Sequence, residues 1–227
     1  MKTKLALVCI ALLFISSCTP STQRRDLLEI ITNSSCEPPC WQGITPGETT
    51  FAEVKEIVQY LQTDGTKNHV GTLEEVRINE ENNRILIFYD QPPIVIGLHA
   101  SSHGVIEKIE FSIDYVNKIN QIKLGDLIDY LGDPQEISVC YLNFIIRRAY
   151  MRISYSQIEL NFDRERLPLD ADSFQIPISR NTSIDTITYY DSWIPPMNEI
   201  SKPWTGYGNF HFSPADPNAT IKQCEGN

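Results

Sequence analysis

Cys36-Glu37-Pro38-Pro39-Cys40-Trp41-Gln42-Gly43-Ile44-Thr45-Pro46-Gly47-Glu48-Thr49-Thr50-Phe51-Ala52-Glu53-Val54 joins a covalent staple, a turn and a helix start without a gap. Pro38, Pro39, Pro46 and Gly47 forbid regular structure until Thr50. There Thr50-x-x-Glu53 forms a capping box, in which the threonine oxygen and the Glu53 carboxylate take up free amides of the first turn. Phe51, Val54, Ile57, Val58 and Leu61 continue at helical spacing, and Gly65 suits the stop. A helix with one apolar stripe must lie on something.

Beyond this helix the chain is strand-like. Val76 to Ile78 and Arg84 to Tyr89 flank the turn-forming cluster Asn79-Glu80-Glu81-Asn82-Asn83. Ile94, Ile96 and Leu98 alternate, and Ser101-Ser102-His103-Gly104 turns the chain into Val105, Glu107, Ile109, Phe111 and Ile113. That alternation predicts one buried face and one wet face carrying Lys108, Glu110 and Ser112. A second, similar order then appears. Leu124, Leu127, Ile128 and Leu131 form a helical stripe closed by Gly132, Asp133 and Pro134, and alternating runs come after it at Met151 to Tyr155 and Ile158 to Phe162. A weaker run near Phe174 to Ile178 and a strand over Asp185 to Tyr190 complete it. Asp26 to Ile31 allows a turn or two of helix, and the prolines beyond Trp193 predict an irregular tail wrapped on the body. The expected fold class is α+β, with two tandem helix-on-antiparallel-sheet units at 36–116 and 117–192 and a tail at 193–227.

The heads and tails of these units, Ile44-x-x-Gly47-x-Thr49-x-x-x-x-Val54 and Leu124-Gly125-Asp126-Leu127-Ile128-x-x-Leu131-Gly132-x-Pro134, resemble the small α+β domain of the outer-membrane assembly lipoprotein BamE (SmpA/OmlA). In that family a glycine-threonine turn starts a helix that ends near Leu-Gly-x-Pro. Tandem copies of a related unit also build the β-lactamase-inhibitor protein. The resemblance covers two short stretches and implies fold rather than activity. The Pro-Pro-Cys-Trp-x-Gly-Ile-Thr-Pro-Gly opening is similar to that of uncharacterised bacterial lipoproteins, which implies no mechanism.

The first residues speak to the compartment. Met1-Lys2-Thr3-Lys4 is a short basic region, and Leu5 through Ile15 is an apolar run too short for a mature membrane span. Ile15-Ser16-Ser17-Cys18 resembles the lipobox of bacterial lipoproteins. The resemblance implies a signal peptide over 1–17, cleavage before Cys18, diacylglycerol on its sulfur and a fatty acid such as palmitate on its amine. Residues 18–35 then read as a tether, and two acyl signals hold a body stably at the outer face of a membrane. The other reading leaves Cys18 as a small residue near an ordinary cleavage site.

Of the 6 cysteines, Cys9 leaves with the leader and Cys18 takes lipid, so Cys36, Cys40, Cys140 and Cys224 remain. An even remainder in an exported chain suggests two disulfides among three pairings, with Cys36–Cys40 and Cys140–Cys224 preferred. Isolated Cys140 and Cys224 lack the paired spacing of a zinc site. Cys36 and Cys40 lack the spacing and the helix start of a redox motif.

The formal net charge is -10, and loss of Lys2 and Lys4 with the leader makes the mature chain two charges more negative. Such a body repels phosphate backbones, so no nucleic-acid partner is expected. His99 and His103 bracket a turn rather than sharing a helix face, which favours exposed turn residues over a metal pair. Asp163, Glu165, Asp170 and Asp172 lack the spacing of a calcium loop, and no metal or cofactor is implied. The late aromatics, with Trp193, Trp204, Tyr207 and Phe210 foremost, form the candidate binding surface for a protein or polysaccharide partner. Their other reading is core closure beneath the tail. With no nucleophile, phosphate loop or assignable acid-base pair, the expectation is a non-enzymatic, lipid-anchored extracytoplasmic binding or scaffold module. Its rivals are a surface hydrolase of an envelope or extracellular polymer and a protein inhibitor of a secreted enzyme.

Overall fold

A computed structural model describes residues 22–32, 36–63, 72–91, 93–113, 122–143, 148–164, 174–192 and 200–212. The capping box is present as the sequence predicts. The Thr50 amide donates to Glu53 Oε2 at 2.8 Å, and the Glu53 amide donates to Thr50 Oγ1 at 3.3 Å. It opens helix α2 (Phe51–Thr63), whose Phe51, Val54, Val58 and Leu61 are buried. An earlier helix, α1 (Thr22–Thr32), overlaps the short stretch expected there, and α3 (Leu124–Leu131) buries Leu124, Leu127 and Ile128. Gly132 ends α3 with a φ of 81° and donates its amide to the Ile128 carbonyl at 2.8 Å.

Strands dominate the rest. They are β1 (Thr72–Asn79), β2 (Arg84–Gln91), β3 (Ile94–Ala100), β4 (Ile106–Ser112), β5 (Glu136–Asn143), β6 (Arg148–Ser154), β7 (Ile158–Arg164), β8 (Phe174–Ile178), β9 (Thr186–Tyr190), β10 (Ile200–Pro203) and β11 (Gly208–Phe212). Nine of them form one antiparallel sheet in the order β1-β2-β3-β4-β9-β7-β6-β5-β10, and β8 pairs with β11 in a separate ribbon.

This corrects the expected α+β class. The protein is mostly β, and it is not a pair of helix-on-sheet units, each closed on itself. The joint is β9, where Ile187 pairs with Phe111 of β4 and with Leu160 of β7, and Tyr189 pairs with Ile109 and Ile158. Alternation in a sequence says which face of a strand is buried but carries no information on which strand lies beside it. An uncovered β4 would expose a row of unsatisfied amides and carbonyls, and β9 satisfies them. One core results: Ile87, Ile96, Phe111, Ile187, Leu160 and Ile153 belong to a single buried cluster with the stripes of α2 and α3.

The opening stretch lies across this joint. Trp41 is fully buried, donates its indole N–H to the Ile30 carbonyl at 2.9 Å, and meets Phe111 edge-on at 5.9 Å. Phe111 in turn meets Tyr189 of β9 at 5.1 Å. Backbone bonds from Gly47 to Ile106, Ile106 to Thr49 and Phe51 to Gly104 fasten the stretch to the start of β4.

Three further differences have local causes. Alternation predicts Val105 and Glu107 pointing inward, but Ile106 is buried and Glu107 exposed. His99 pairs with Lys108 and Ala100 with Ile106, so Glu107 is an extra residue that shifts the phase. Strand β5 is an element the sequence reading leaves out, although Glu136-Ile137-Ser138-Val139 alternates as a half-buried strand does. The tail is not wholly irregular: β10 pairs with β5, and β11 with β8, despite the nearby prolines.

Candidate functional site

The face of the sheet opposite the helices is built by the residues that alternate with the core. Antiparallel register sets them in rows, because directly opposed side chains share a face. One row runs Asn79, Arg84, His99, Lys108 and Tyr190 across β1, β2, β3, β4 and β9. The next runs Arg77, Leu86, Gly97, Glu110, Thr188, Glu159 and Ser154 through to β6. A third includes Ser112, Thr186, Asn161, Arg152 and Ser138.

Charges on this face are held in pairs. Lys108 Nζ donates to Glu110 Oε2 at 2.8 Å, and the Ser112 hydroxyl donates to Glu110 Oε1 at 3.3 Å. Burial works to raise the Glu110 pKa, but the hydrogen bond and charge of Lys108, with help from His99 and Ser112, outweigh it and hold the carboxyl below its ordinary range. Glu159 is more enclosed, with its side chain 5% exposed, and it lies 3.0 Å from Arg152 Nε. Asn161 donates to Glu159 Oε1 at 2.6 Å and the Tyr190 hydroxyl to Oε2 at 3.4 Å. Burial, then the Glu159 charge, pushes the Tyr190 phenol well above its usual value.

Two carboxylates therefore flank Thr188 in one row. Each has its own cation partner, Lys108 for Glu110 and Arg152 for Glu159. Lys108 holds the Glu110 carboxyl below its ordinary range, and Glu159 lies in an ion pair with Arg152 while accepting hydrogen bonds from Asn161 and Tyr190.

At the β2–β3 end the same face carries Arg84 and His99 as register partners. Arg84 Nε and His99 Nε2 are buried and have no hydrogen-bond partner among the described residues. Burial first, then the charges of Lys108 and Arg84, pushes the His99 pKa down to about 4 against the pull of Glu110. His99 lies over Gly97, with Nε2 3.2 Å from where a Cβ would stand. Arg84, Leu86 and His99 line a surface hollow of about 760 Å³ beside the β1–β2 turn.

The candidates named from sequence fall elsewhere. Trp204 is half-buried, stacks on buried Phe210 at 5.6 Å and meets Tyr207 edge-on at 5.8 Å. Tyr207 is 38% exposed, with the Arg180 guanidinium 5.8 Å from its ring centre. Three of the four rings thus form one cluster that runs from exposed Tyr207 to buried Phe210, while Trp193 lies outside the described residues. Cys36 and Cys40 form a disulfide, with Cα atoms 5.7 Å apart. Cys140 occupies β5 opposite Tyr150, but Cys224, and with it the second pairing, lies outside the described residues, as does Cys18. His103 is exposed in the turn and does not join His99. Asp163 lies on β7, and Glu165, Asp170 and Asp172 lie outside the described residues. Among the described residues no group of three or more His, Cys, Asp or Glu is placed to hold a metal ion. No described helix is long and apolar enough to cross a membrane.

The sequence marks Lys108, Glu110 and Ser112 as wet but does not connect them with Glu159, Arg152 or Tyr190. The available signal is alternation in each strand; the missing fact is that β9 brings the strands together. Comparison with protein-family models, with curated proteins and with solved structures finds no match.

Proposed function

We propose that this chain is a lipid-anchored, extracytoplasmic binding module that engages a protein partner through the polar face of its sheet. The observation that carries this reading is that two ion pairs, part-exposed Lys108–Glu110 on β4 and the more enclosed Arg152–Glu159 between β6 and β7, stand on either side of β9 on one face of the sheet. Paired charges at fixed register impose geometric and electrostatic selectivity on whatever docks, since a mismatched partner strands a desolvated charge. The lipobox-like Ile15-Ser16-Ser17-Cys18 and the Cys36–Cys40 disulfide support an oxidising compartment outside the cytoplasm.

An inhibitor of a secreted enzyme is the second reading. One sheet runs through both halves of the chain, so both can contribute to a single contact surface. The hydrolase reading is disfavoured by the ion-paired state of Glu110 and Glu159.

Affinity capture from envelope and culture fractions tests the proposal. The wild-type chain should recover a discrete protein that the double variant R152M/E159M fails to recover, while Tyr60→Ala on the exposed side of α2 still recovers it. Equal recovery by the face variant, or nothing above background, contradicts the proposal. For the anchor, Cys18→Ala should move the protein from the membrane to the soluble fraction, and continued retention overturns the lipid assignment.

A further inference from the structure

Beside the hollow at the β2–β3 end of the polar face stand two basic side chains, Arg84 and His99. Arg84 and His99 are register partners on β2 and β3, and each buries a ring or guanidinium nitrogen without a hydrogen-bond partner among the described residues. Folded proteins seldom leave buried donors unmatched, because the lost solvation is not returned. Both side chains line the hollow of about 760 Å³ that Arg77, Asn79, Glu80 and Leu86 also border. Two of those bordering charges are already engaged: Arg77 bonds Glu75, and Glu80 bonds Lys55 at 2.9 Å.

We infer that the hollow at Arg84 and His99 is a binding site for a carboxylate group. Arg84 supplies the charge and planar donors that suit a carboxylate. Neutral His99 supplies a ring nitrogen beside it, and Gly97 has no side chain and so makes room for that imidazole to lie over β3. Lys108 stands on the far side of His99 and adds positive potential, although its own bond is to Glu110. Glu80 and Glu81 lie at the border and make the site a poor one for a doubly charged phosphate. A singly charged carboxylate carries the acceptors that Arg84 and His99 lack and meets less repulsion. This site does not depend on the partner-binding reading of the wider face, since a small carboxylate can occupy it with no protein partner bound.

NMR titration of the full chain provides the test, with the Arg84 Nε–H and the His99 imidazole as reporters and sodium acetate as the probe. Sodium phosphate and sodium chloride at matched ionic strength are the comparison arms. Acetate should shift both reporters saturably and raise the His99 pKa by about one unit or more, because a close negative charge favours the imidazolium. Arg84, Lys108 and Glu110 are the charged neighbours that set the starting value. Arg84→Gln should abolish the saturable response at His99 while the amide shifts of Ile85 and Ile87 report an intact β2. Linear shifts equal to those with chloride would overturn the site, as would a saturable response that survives in Arg84→Gln. Tighter saturation by phosphate than by acetate would overturn the carboxylate assignment. Failure to capture a protein partner would leave these results unchanged, so the two readings fail separately.

Discussion

The two faces of the nine-stranded sheet use the same strands and opposite chemistry. On one, Ile87, Ile96, Phe111, Ile187, Leu160 and Ile153 run without a polar break beneath the helices. On the other, the intervening residues carry the ion pairs Lys108–Glu110 and Arg152–Glu159 among neutral polar groups, with Arg84 and His99 at the β2–β3 end. The apolar face is non-directional, so its stability grows with buried area and tolerates many partners. The polar face depends on register, and a single substitution there alters what its neighbours can bond.

The largest break in this comparison should come from the apolar side. Trp41→Ala or Phe111→Ala opens a void at the seam between β4 and β9 and should lower unfolding free energy by about 3–5 kcal/mol, read from urea denaturation. Next is the enclosed ion pair. Glu159→Ala takes away the carboxylate that Arg152, Asn161 and Tyr190 share and should lower stability by about 3 kcal/mol, whereas R152M/E159M should lie much closer to wild type. If the single and double variants are equally destabilised, the pair is not what organises that part of the face. Thr50→Ala removes the hydroxyl that accepts from the Glu53 amide and should lower stability by about 1 kcal/mol.

A further effect is a pH dependence of stability to which His99 and Glu110 on the polar face contribute. His99 titrates at about 4 in the folded chain against an ordinary 6.5, so between those values the unfolded chain binds a proton that the folded one refuses. Stability from this source is complete above about pH 6.5 and declines as the pH falls toward about 4. Glu110, whose carboxyl is also depressed, retains its contribution above the ordinary glutamate range and loses it as the pH falls through its own lowered value. His99→Gln should flatten the upper part of that decline and leave the lower part, as followed by denaturation midpoints across the pH range.

The apolar face is largely readable in the sequence, because period-two alternation at Ile94 to Leu98 and Ile158 to Phe162, and the helical stripes of α2 and α3, report burial directly. The polar face is not. Glu110 and Glu159 are far apart in the chain and meet Thr188 from opposite sides only because β9 enters between β4 and β7. Strand order is a long-range property that local pattern does not encode, and without it the sheet reads as divided in two. Phe210 and Trp204 are legible as a cluster, but whether a ring faces solvent or core depends on packing that β8 and β11 settle together.

The joint itself is open to direct measurement. Backbone cross-strand nuclear Overhauser effects should link residues 108–112 to 186–190, with Glu110 opposite Thr188 and Phe111 opposite Ile187, and link 158–161 to the other side of the same strand. A single sheet with one core requires both sets together. Observation of 186–190 paired only with 158–161, and of 108–112 as a free edge, would divide the molecule into two sheets and remove the shared polar face.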